Sequence, residues 1–179
     1  MANHPQQHHL EETFRDVFRG HPAGVTLITA LVDGQPVGIT ATSVSSLSLS
    51  PLAVSFSFMK DTGSAEKLLR AESLLIHFLS DAHAHLAAAF STTAEERFSE
   101  AQGWIFTEAS EPHLPDARAT MRVQISDTAC SGAATLVAAE VLEVSTPTTE
   151  SALLFQGHNF FSMRNAERLA SEKEENPQA

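Results

Sequence analysis

A single cysteine, Cys130, stands among 179 residues, so no disulfide can form within the chain and a reducing, cytoplasmic setting is expected. Apolar runs stay far short of the roughly 20 residues a bilayer demands, which argues against a membrane partner. The opening stretch MANHPQQHHLEETFRD has neither a basic start nor an apolar core, so no signal peptide is expected. Basic side chains are scarce, 11 Lys and Arg against 22 Asp and Glu, for a net charge of −11. That balance excludes nucleic acid held through its phosphates as the working hypothesis. No GxGxxG, P-loop, HExxH or GxSxG occurs, so the usual nucleotide folds, zinc proteases and serine hydrolases find no support. What is present suits one globular domain: 42% hydrophobic residues, 18% charged, no internal repeat and no linker. It is expected to span residues 11–166, between a disordered N-terminus at 1–10 and a flexible acidic tail at 167–179.

Charge is missing most where hydroxyls are richest. Between Gly20 and Met59 the only formally charged residue is Asp33, while eleven Ser and Thr lie between Thr26 and Ser57. The periodicity there is that of strands. Leu52, Val54, Phe56 and Phe58 alternate with Ala53, Ser55 and Ser57. The Asp33-Gly34 pair favours a tight turn with positive φ, so Thr26–Val32 and Pro36–Ala41 read as a hairpin. Further strands are expected at Leu74–Leu79, Met121–Ser126, Thr135–Val144 and Leu153–Gln156, with Glu140 and Glu143 facing water. Helices are short: Ala65–Arg70 capped by Ser64, Ala82–Phe90 capped by Asp81, and a turn or two over Ala94–Ala101. This content predicts a mainly β fold, a closed or half-closed antiparallel barrel with a few short peripheral helices.

The segment from Thr40 to Ser50 has seven Ser or Thr in eleven residues. A Ser-rich edge strand or loop accounts for it. So does a flavin mononucleotide site, whose phosphate needs several O–H and N–H donors and whose ring needs an apolar slot. Lys60, Lys67 and Arg70 follow closely enough to supply positive charge. The nine histidines do not suggest a metal, because His83 and His85 would point about 200° apart on a helix and no HExxH or second cysteine is present. His77 reads as a hydrogen-bonded core or interface residue. Cys130 has no neighbouring base to activate it, and Asp127 opposes ionisation.

Several motifs occur together in order: Phe14-Arg-Asp-Val-Phe-Arg19, His21-Pro-Ala-Gly-Val-Thr-Leu-Ile-Thr29, and Gly38-Ile-Thr-Ala-Thr-Ser43-Val-Ser-Ser-Leu-Ser48 followed by Pro51. Leu75-Ile-His-Phe-Leu79, Leu86-Ala-Ala-Ala-Phe90, Arg97-Phe98 and Trp104 come after them. Over residues 14–106 the chain resembles the flavin reductase-like, FMN-binding split-barrel family, which includes reductase components of two-component flavin monooxygenases. The resemblance implies a Greek-key split β-barrel and a homodimer with FMN, or else FAD, near the subunit interface. It implies NADH or NADPH as hydride donor and a monooxygenase that receives the reduced flavin. Thr40, Ala41, Thr42 and Ser43 would lie along the ring and ribityl chain. Ser46, Ser48, Lys60 and Ser64 would surround the phosphate, and His21 would approach the flavin edge as the one catalytic candidate.

One departure bears on activity. The family's Gly-Asp-His before the long second-half strand is here Gly132-Ala133-Ala134. That histidine is associated with the nicotinamide side of the pocket. The alternative to a reductase is therefore an FMN-binding protein without nicotinamide activity, a sensor or store. A third reading is a dimeric barrel scaffold that has lost the flavin.

Overall fold

The computed structural model describes residues 5–59, 62–92 and 97–165. Strand β1 (Ala23–Gly24) leads into a hairpin of β2 (Thr26–Val32) and β3 (Gln35–Ala41). Asp33 and Gly34 both take positive φ, 52° and 72°, as the Asp-Gly turn requires. A second hairpin joins β4 (Ser45–Leu49) to β5 (Leu52–Phe58), and β6 (Leu74–Phe78) follows the short helix α2 (Ser64–Leu69). Helix α3 (Ala84–Ser91) precedes β7 (Ile105–Phe106) and β8 (Pro112–His113). The long strands β9 (Ala119–Ser131) and β10 (Ala134–Val144) form a third hairpin, and β11 (Leu153–Gln156) and β12 (Asn159–Ser162) a fourth.

Seven strands make one antiparallel sheet in the order β3-β2-β6-β9-β10-β5-β4, and β1-β11-β12 make a smaller one. The large sheet curls without closing its backbone ladder. At the seam Ser43, just beyond β3, donates its hydroxyl to the Ser57 carbonyl (3.2 Å) and accepts the Ser57 N–H (2.9 Å). A side chain thus takes the place of strand pairing, as suits a split barrel.

Alternation divides the core in two. Ile28, Val54, Phe56, Phe58, Leu74, Ile76, Val123, Val137 and Ala139 fill the concave side, which α2 covers with Ala65 and Leu68. Leu27, Leu79, Leu86, Phe90, Trp104, Leu114 and Leu153 pack outside the sheet, under α3 and the small sheet. At 25 cal/mol per Å², each fully buried Leu or Phe contributes roughly 1.5–3 kcal/mol. No helix among the described residues is long and apolar enough to cross a membrane.

Several local expectations are revised. Residues 5–10, expected to be loose, belong to helix α1 (Pro5–Gly20). Gly63, with φ 65°, precedes α2, so Ser64 is its first helical residue and not its cap. Ser80, not Asp81, opens the next helical turn, through a reciprocal capping box with His83. Helix over Ala94–Ala101 is replaced at its end by a 3-10 turn, Glu100–Gln102, and residues 93–96 lie outside the described residues. The acidic tail from 167 also lies outside them. The serine-rich run Ser45–Leu49 is an edge strand.

Candidate functional site

Gly38 is the floor of the most distinctive cavity. A Cβ there would stand 2.7 Å from Phe90 Cε1 and 3.0 Å from Phe98 Cζ, so this strand position requires glycine because of what packs over it. Two residues on, the Thr40 hydroxyl donates to the Ala87 carbonyl (2.8 Å) and fastens α3 across β3. Beside Gly38 opens a cavity of about 330 Å³ lined by Gln35, Ser64, Lys67, Arg97 and Phe98 among others. The Arg97 guanidinium lies 5.3 Å over the Phe90 ring and donates through Nη2 to the Thr92 carbonyl. Its buried Nε has no partner. A hydroxyl, an ammonium and an orphaned guanidinium N–H around a glycine floor make a donor set suited to a phosphate monoester.

The sequence candidates fall into separate places. Ser64 lines this cavity, and Lys67 and Arg97 join it. Ala41 is buried against the concave core. Thr42 is exposed beside the seam that Ser43 closes. Ser46 and Ser48 line a different groove of about 300 Å³ with Val44, Leu49, Leu52, Val141 and Val144. Lys60 lies outside the described residues. His21 is exposed between α1 and β1, its ring centre 6.5 Å from that of Phe18, and it does not line either cavity.

Behind the cavity sits a buried histidine. His77 is wholly enclosed, with Nε2 3.0 Å from the Thr29 hydroxyl and Nδ1 3.4 Å from that of Thr120. Thr29 already donates to the Pro112 carbonyl (3.0 Å), so His77 Nε2–H donates to Thr29 and Nδ1 accepts from Thr120. Burial and the nearby His113 lower its pKa to about 3, which keeps this neutral tautomer in place. Trp104 packs edge-on at 5.4 Å from it and 5.0 Å from Phe98, so the histidine supports the cavity wall. It stays a neutral imidazole near neutral pH.

The expectation of a hydrogen-bonded core residue is thereby met at His77. A buried ion pair had no such signal: Glu111, 5% exposed, meets Arg122 at 2.8 Å and receives the Ser73 hydroxyl at 2.6 Å. Its members come from separate segments, and nothing local marks them. Arg97 and Phe98 were visible in sequence as part of a pattern, but their place over Gly38 depends on the packing of α3. At the β9–β10 turn, Gly132 (φ 59°) is followed by Ala133 and Ala134, whose methyl groups offer no hydrogen bond.

Residues 18–164 match the flavin reductase like domain family. Over 131 residues the chain is 40% identical to a protein of Rhodococcus qingshengii named NADH:FMN oxidoreductase, a match covering 73% of this chain and 68% of that one. It is 28% identical, over 86% of its own length and 83% of the relative's, to the reductase component of a 4-nitrophenol 4-monooxygenase/4-nitrocatechol 2-monooxygenase from Rhodococcus opacus. The solved structure of a flavin reductase domain protein from Arthrobacter sp. FB24 superimposes with a TM-score of 0.79, at 27% identity, over 90% of this chain and 99% of that one. With the split sheet, the glycine-floored cavity and the matched span in agreement, the chain is a member of the flavin reductase-like domain family.

Proposed function

We propose that the protein is an NAD(P)H-dependent flavin reductase that binds FMN and supplies reduced flavin to a partner monooxygenase in the cytoplasm, working as a homodimer. The observation that carries the reading is the donor set of Ser64, Lys67 and Arg97 around Gly38, at the head of the strand that continues into Thr40–Ser43. In a family whose members include NADH:FMN oxidoreductases, that arrangement fits a flavin phosphate. FAD, whose flavin-side phosphate is part of a pyrophosphate, is the alternative ligand.

When bound, the flavin supplies the hydride acceptor. The chain's own residues have a simpler task. Lys67 and Arg97 would neutralise the phosphate, Ser64 would donate to it, and the main chain of Thr40–Ser43 would orient the ring. The buried His77 and Trp104, with the partly buried Phe98, hold the wall rigid. Direct hydride passage between two cofactors needs alignment and no side-chain nucleophile, so the missing Asp-His pair at Ala133-Ala134 does not remove the chemistry.

The test is flavin affinity. Lys67→Glu places a negative charge beside the phosphate, and combined with Ser64→Ala it should weaken FMN binding by on the order of 100-fold, as expected for loss of charge-assisted hydrogen bonds. Riboflavin, which lacks the phosphate, should bind the wild type and the variant alike. Equal loss for both ligands, or no loss of FMN affinity, contradicts this placement.

A further inference from the structure

Helix α1 is the least accounted-for element of the fold. Residues 7–20 are exposed throughout. Leu10, Phe14, Val17 and Phe18 form one continuous stripe by their i, i+4, i+7 and i+8 spacing, and each remains 60–68% exposed. Glu12, Arg15, Asp16 and Arg19 occupy the other side and Glu11 the stripe's flank, with Glu11–Arg15 and Asp16–Arg19 paired along the helix. A helix of 16 residues without tertiary packing is marginal in water, and surface pairs add only tenths of a kcal/mol each, so the stripe requires a cover. The C-terminal end of α1 is tied to the β11–β12 hairpin. The Arg19 carbonyl accepts from the Gly157 N–H (2.8 Å), and the Gly20 carbonyl from Gln156 Nε2 (2.6 Å).

The chain also carries a matching uncovered surface. The groove between β4, β5 and the end of β10 is apolar, has no charged residue in its lining and is rimmed by Leu49, Leu52 and Val144, which are 83%, 50% and 52% exposed. We infer that the α1 stripe of one copy seats in the β4–β5–β10 groove of a second copy, and that the exchange is reciprocal. The inference rests on the homodimer proposed above and names its contact. Each copy presents both this stripe and this groove, so a two-fold pair covers both and leaves neither open. The named stripe and rim side chains expose roughly 800 Å² per chain on ordinary side-chain areas, so the reciprocal contact removes roughly 1,600 Å², the size of a stable specific interface. A one-way contact would remove about half of that, in the range of crystal packing.

The test uses two full-length variants, Phe14→Asp/Phe18→Asp and Leu49→Asp/Leu52→Asp, with mass in solution read by light scattering and fold by circular dichroism. Wild type should be a dimer. Each variant should be a folded monomer, with dimerisation weakened on the order of 100-fold or more by loss of central aromatic or leucine anchors. Mixing the two should restore a hybrid dimer, because the groove of the first accepts the helix of the second. A wild-type monomer overturns both the homodimer and this contact. A dimer that survives the helix variant, or two monomeric variants that form no hybrid, leaves the homodimer standing and overturns the contact.

Discussion

Replacing Gly38 with alanine adds one methyl group where the fold has no room for it. The backbone at Gly38 is not left-handed, so conformation alone would favour alanine, by about 0.4–1 kcal/mol through the unfolded chain. Packing opposes it. The new Cβ meets Phe90 Cε1 at 2.7 Å and Cδ1 at 3.0 Å, and Phe98 Cζ at 3.0 Å. Phe90 has no free direction in which to move: it is 3% exposed, Phe98 stands 4.9 Å away, Trp104 5.6 Å, and Arg97 covers it. Helix α3 cannot retreat without stretching the bond from Thr40 to Ala87. With an approach of 2.7 Å the cost falls in the upper half of the overpacking range, about 2–3 kcal/mol, so the net loss should be about 1–2.5 kcal/mol once the backbone gain is subtracted. Urea unfolding at fixed protein concentration reads it directly through Trp104, the only tryptophan and a member of the same cluster. Phe98→Leu should relieve part of the cost, giving a coupling of about 0.5–1 kcal/mol between positions 38 and 98. A neutral or stabilised Gly38→Ala, or strict additivity with Phe98→Leu, would refute the packing argument.

Two further outcomes follow from the geometry. In the unfolded chain His77 binds a proton near pH 6.5, but in the fold it does so only near 3, so its contribution is complete above pH 6.5 and is lost as pH falls toward 3. One such proton gives a slope of about 1.4 kcal/mol per pH unit in that window. His83 and His113, also lowered by burial, act in the same direction. Chemical unfolding across pH should show a shallower slope for His77→Gln than for wild type, and an unchanged slope would contradict the buried neutral assignment. Restoring the family pair with Ala133→Asp/Ala134→His should raise NADH turnover several-fold without changing FMN affinity, checked by steady-state rates and flavin titration.

Period-two alternation made β5 readable, and the Asp33-Gly34 pair made the first hairpin readable, because each signal is local and each names its geometry. The ends of short helices were less legible. Asp81 and Ser64 are good capping residues, yet Ser80 and Gly63 take those places because chain direction at the preceding strand decides which residue enters the turn. The serine-rich segment carried two meanings at once. Ser43 uses its hydroxyl to close the barrel seam, Ser46 and Ser48 face an apolar groove, and only Ser64 among the described phosphate candidates meets basic side chains. Arg97 could not be placed from sequence, since its site exists only where α3 crosses β3. Nor could the Glu111–Arg122 pair, whose partners are joined by tertiary packing alone.

The central claim is that this chain reduces flavin with a nicotinamide donor despite alanines at positions 133 and 134. The direct measurement is anaerobic mixing of the purified protein with FMN and NADH, following loss of the blue flavin band against a protein-free control, with NADPH in a parallel run. Bleaching should be far faster than in the control, and much slower for Lys67→Glu at limiting FMN. Bound flavin that stays oxidised with both donors would contradict it, and would leave a flavin-binding protein in which the missing Asp-His pair is decisive.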